Sequence, residues 1–131
     1  MVKDFIPYNE VLELKELGFD EPCLGYYAGD ILCTGQPQEI HLDKDGNYKK
    51  TKTESYHIIA APTFSQAFRW FREKYKLHHV IHQFNYKKDT DEEYLAEVDK
   101  IEDGFEYFRT YEECEHFCLN KLIEIVKTKS E

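Results

Sequence analysis

Thr63-Phe64-Ser65-Gln66-Ala67-Phe68-Arg69-Trp70-Phe71-Arg72-Glu73-Lys74-Tyr75 is the stretch on which the fold turns. On a helix of ~3.6 residues per turn, Phe64, Phe68, Phe71 and Tyr75 fall within about 60° of one another and form one aromatic stripe. Trp70, the chain's single tryptophan, lies about 130° from that stripe, beside Gln66, Glu73 and Lys74. The stripe is a core-building signal. A tryptophan off the stripe and next to a lysine is a candidate contact surface, with packing under a loop or in a homodimer seam as the plainer alternative. Thr63 stands at the N-cap with Gln66 at N3, a capping-box pattern.

Two more helices flank this one. The first opens near Pro7 and runs to Leu17, with Val11, Leu14 and Leu17 at three-residue spacing. Gly18 then offers a left-handed stop and Phe19 packs back. The third opens with Thr110 and Glu113, again a capping box, and runs to about Lys127. Its apolar positions cover more than half its circumference, which calls for cover from another helix or another subunit as well as a sheet. Between the helices the pattern changes to strands: Cys23–Ala28, Ile31–Gly35, Ser55–Ala60, Leu77–Tyr86, Tyr94–Ile101 and Phe105–Arg109. Gly29-Asp30, Asp45-Gly46 and Asp103-Gly104 are turn signals, and the polar Lys49–Glu54 stretch is an extended arm or a loop. The order α-ββββ(β)-α-βββ-α predicts an α+β fold, an antiparallel sheet with three helices on one face, as a single domain over residues 1–131.

Composition narrows the class further. The chain has 131 residues, 41% of them apolar and many of those Tyr and Phe, enough for a globular core. No apolar run nears the ~18 residues of a membrane span, and Met1-Val2-Lys3-Asp4-Phe5 has no signal-peptide core, so a cytoplasmic protein is expected. The net charge of −9 is uneven: residues 89–115 hold 12 acidic side chains against Lys100 and Arg109, while residues 1–88 are balanced. That argues against nucleic-acid binding. It favours an acidic face turned to a basic partner, and the local basic run Lys44, Lys49, Lys50 and Lys52 reads as a solvated hairpin.

Leu14-Lys15-Glu16-Leu17-Gly18-Phe19-Asp20-Glu21-Pro22-Cys23, Gln66 to Tyr75, Thr110-Tyr111-Glu112-Glu113-Cys114 and Cys118 to Lys127 together span under a third of the chain. On these pieces the chain resembles a family of small uncharacterised proteins of Bacteroidetes bacteria and their phages. The resemblance implies a bacterial or phage-infected cell as the setting, and no catalytic residues.

Candidate chemistry is thin. Cys114 and Cys118 share a helix face with Tyr111, Leu122 and Ile125, where cysteine acts as a small hydrophobe, and no Cys-x-x-Cys pair supplies a zinc knuckle. His78 and His82 on one strand face stand roughly 13 Å apart, too far for one metal ion. A His57–His79 cross-strand pair depends on register. Nucleophile-elbow, Walker and zinc-protease motifs are absent from the sequence. A small hydrolase built on Cys23 or a histidine is the minor reading, and no cofactor or metal is expected. The leading expectation is a non-catalytic, self-associating protein that captures a small ligand, such as a nucleotide signal of host defence. Trp70, Tyr26 and Tyr27 would stack on the base, and Lys74 and Arg69 would meet the phosphate. The alternative is an inhibitor that presents residues 89–115 to a host protein.

Overall fold

The computed structural model describes residues 2–34, 47–49, 55–83, 93–99 and 102–130. Three α-helices and two small antiparallel sheets make an α+β architecture in the expected element order. The strands divide between two sheets where the sequence suggested one. The chain forms two compact units, Met1–Thr63 and Phe64–Glu131. The Asp45-Gly46 turn, most of the Lys49–Glu54 arm, Lys44, Lys50, Lys52 and residues 84–92 lie outside the described residues.

In the first unit, α1 spans Tyr8–Glu16. Pro7 is its N-cap and Tyr8 its first helical residue, because ψ of 155° keeps Pro7 extended while its carbonyl already accepts from Val11 N–H at 3.0 Å. The stop is the one the sequence announced. Gly18 sits at φ +99°, its N–H donates to Lys15 O, and Phe19 N–H donates to Leu14 O, both at 3.0 Å. These two bonds are the Schellman pair. The sheet of this unit has the order β2-β1-β4-β3, from β1 (Gly25–Ala28), β2 (Ile31–Thr34), β3 (Asn47–Lys49) and β4 (Ser55–Ala61). Gly29 at φ +64° takes the first place of the two-residue turn between Ala28 and Ile31, the glycine-first hairpin geometry. The Phe5 ring lies against Gly25 so closely that a Cβ there would fall 2.7 Å from Cε1.

The second unit begins with α2 (Phe64–Tyr75) and continues through β5 (His79–Gln83), β6 (Tyr94–Val98), β7 (Phe105–Phe108) and α3 (Tyr111–Ser130). α3 runs three residues past the expected end. The Thr110 half of the expected capping box forms: Glu113 N–H donates to Thr110 Oγ1 at 3.2 Å, and Glu113 Oε1 accepts from that hydroxyl at 3.0 Å. Register places Ala96 and Val98 on one sheet face, with Phe108 and Tyr94. Phe108 meets Phe117, and Tyr94 meets Tyr111, so this face packs on α3. The cover α3 needed comes from α2 as well as the sheet, with Phe64 edge-on to His116 at 5.1 Å. Val80, Leu95, Phe105 and Tyr107 share the opposite face with His82 and Glu97. There Val80, Phe105 and Tyr107 remain exposed.

α2 ends on Lys76, a non-glycine residue at φ +58°. Its N–H donates to Arg72 O and its Nζ donates to Glu73 O, so two bonds offset a left-handed conformation costing about 1–2 kcal/mol. Leu77, expected to open the strand, instead lies in the connection and is fully buried, with its N–H donating to Phe71 O.

Candidate functional site

Trp70 takes the packed alternative. The indole is 5% exposed, edge-on to Phe71 at 5.0 Å and to Tyr75 at 5.4 Å. Ala67 explains why. It falls between Trp70 and Phe71 around the helix, is itself fully buried, and widens the buried arc to about 160° by the 100° step per residue. The stripe does not exclude the tryptophan; it extends to it. Lys74 places Nζ 5.1 Å from the Trp70 centroid and 5.5 Å from that of Tyr75. Arg69 is exposed on the same helix.

The tyrosine doublet splits as neighbours on a strand must. Tyr27 turns inward, 6% exposed, its hydroxyl donating to Ile6 O at 2.7 Å and its ring edge-on to Tyr8. Burial, then Glu10, pushes its pKa up. Tyr26 turns to the other face and is half-buried. The two rings therefore cannot stack on one base. Among the expected ligand groups, Lys74 and Trp70 are in contact.

Cys114, Cys118 and His79 behave as packing groups. Burial above all, with Glu113 and Glu115, raises the Cys114 thiol to about 11. Burial, then Cys114 and Glu115, raises Cys118 to about 12. Both stay protonated near neutrality, so neither is a ready nucleophile. Cys23 Sγ donates to Glu21 O at 3.3 Å. His79 stacks on Phe68 with centroids 3.7 Å apart. Burial first, then Arg72 and His78, lowers its pKa to about 4. The imagined His57–His79 pair does not form in register: His57 opposes Asn47 in one sheet and His79 opposes Val98 in the other. Among the described residues no group of three or more His, Cys, Asp or Glu could hold a metal ion. None of the described helices is long and apolar enough to cross a membrane.

An open groove of about 520 Å³ lies elsewhere in the second unit, along α3 beside β7. Phe108 and Phe117, 5.5 Å apart, form its apolar floor. Glu112, Glu113, His116, Asn120, Lys121 and Glu124 line the rest. From Glu112 to Glu124 the helix advances roughly 18 Å at ~1.5 Å per residue, the reach of five or six extended residues. Three carboxylates against one ammonium give the groove a negative field. Lys121 leans over the Phe117 ring at 5.7 Å, with Asp103 at 3.7 Å and Glu124 at 3.6 Å. The two carboxylates are exposed while Lys121 is partly covered; surface ion pairs are worth about 0–1 kcal/mol and a cation–π contact at an exposed site about 0.5–1 kcal/mol.

Sequence reasoning treated the third helix only as an apolar surface in need of cover and missed the groove. A signal was present: Lys121 follows Phe117 by four residues, just as Lys74 follows Trp70. No family model, curated protein or solved structure matches this chain.

Proposed function

We propose that this chain is a non-catalytic protein-interaction module whose α3–β7 groove takes a basic segment of a partner protein. The observation that carries this reading is an aromatic floor, Phe108 and Phe117, rimmed by Glu112, Glu113 and Glu124 in an open groove. Apolar anchors inside a charged rim are the anatomy of a binding surface. The acidic sign favours Lys and Arg over phosphate or carboxylate. In the phage setting that the sequence resemblance implies, the partner would be a host protein. Nucleotide capture has less support, because Trp70 and Tyr27 present almost no open ring face and the groove's carboxylates repel phosphate.

The test is fluorescence anisotropy of labelled basic peptides, with acidic isomers as controls. Binding is expected for the basic set alone, weakening as salt shortens the Debye length from about 14 Å to about 6 Å. A Glu112→Lys/Glu124→Lys variant with unchanged circular dichroism should lose it. Equal binding of acidic peptides, or an unaffected double variant, refutes the reading. Self-association has its own material in the exposed Val80, Phe105 and Tyr107 of one sheet face, and sedimentation velocity reads it separately.

A further inference from the structure

We infer that the groove contains a seat for the guanidinium of a partner arginine, and that Lys121 is its resident occupant, displaced when the partner docks. This rests on the reading of the groove as a site for a basic segment. The seat is built from a ring face and two carboxylates: Lys121 Nζ stands 5.7 Å from the Phe117 centroid, 3.7 Å from Asp103 Oδ2 and 3.6 Å from Glu124 Oε2.

Those separations exceed the ~2.7–2.9 Å of a charge-assisted hydrogen bond. The ammonium is thus shared loosely between the two carboxylates. A planar guanidinium suits the same three groups better. It stacks flat on a ring, offers two parallel donors to a carboxylate, and sheds water more readily than an ammonium. Approach is open, since Asp103 and Glu124 side chains are 83% and 65% exposed while Lys121 is 22% exposed. Lys121 is tethered one turn beyond Phe117 on the same helix, so it can swing out without disturbing the fold. It also excludes weaker cations, which gives the groove a threshold for what it admits.

The test titrates the intact chain with a labelled arginine peptide, its lysine isomer and its citrulline isomer. The proteins are wild type, Lys121→Met, Asp103→Asn and Lys129→Met. Lys129 carries the same charge two turns further along α3 and is exposed, so its variant controls for net charge. Lys121→Met should bind the arginine peptide about fivefold tighter than wild type, Lys129→Met less than twofold, and Asp103→Asn should bind it more weakly. The arginine peptide should outrank its lysine isomer, and citrulline should bind least. If wild type binds but Lys121→Met gains no more than Lys129→Met, the resident-cation inference fails while the groove reading stands. If no protein binds any basic peptide, both fail.

Discussion

Two aromatic–lysine pairs occupy the same four-residue spacing on neighbouring helices, and they end in opposite circumstances. On α2 the Trp70 indole is closed over while Lys74 stays exposed: Ala67 carries the buried arc around to the indole, and Phe71 and Tyr75 meet it edge-on. Phe117 with Lys121 on α3 stays open, its ring forming a groove floor and its lysine drawn between Asp103 and Glu124. The spacing from ring to lysine is the same in both places, with an indole in one and a phenyl ring in the other. What differs is the third group, a small apolar residue in one and a pair of carboxylates in the other. The same aromatic–lysine spacing thus leads to a buried ring or a groove floor, with different residues beside it in each case.

The sharpest way to break this contrast is truncation at each ring. Trp70→Ala should cost about 3–5 kcal/mol, as large-to-small changes in a close-packed core do. Phe117→Leu should cost less than about 1.5 kcal/mol, because Phe117 is half-buried and the volume change small. Chemical denaturation measures both. The contrast collapses if the two costs are equal or reversed.

A smaller effect probes the sealed side by pH. His79, stacked on Phe68 beside the aromatic face, has its pKa lowered from 6.5 to about 4 in the fold. The unfolded chain therefore binds the proton first. The contribution of neutral His79 is fully present above pH ~6.5 and is lost as pH falls towards about 4. Discounted for partial exposure, that is about 1–2 kcal/mol. Denaturation midpoints of wild type against His79→Phe across this window should converge at high pH and separate at low pH in favour of the variant. Parallel curves would mean that His79 is solvated.

Local signals carried most of the fold. Gly18 and Phe19 announced the end of α1, Thr110 and Glu113 the start of α3, and Gly29-Asp30 the first hairpin; each is a bond between near neighbours. The division into two sheets was not legible, because strand pairing joins residues distant in sequence and alternation alone does not name the partner. The burial of Trp70 was half-legible. Ala67 was there to close the gap between the indole and the stripe, but a methyl group looks neutral until something packs on it. The groove was the least legible feature, since Phe108 and Phe117 belong to different elements and meet only when β7 lies along α3.

Backbone amide and indole N–H shifts of the labelled chain, followed while an arginine peptide is added, put the contrast to its most direct test. The account predicts shifts concentrated between Phe108 and Glu124, with the Trp70 indole signal unmoved. Movement of the Trp70 indole with the α3 groove silent would contradict it.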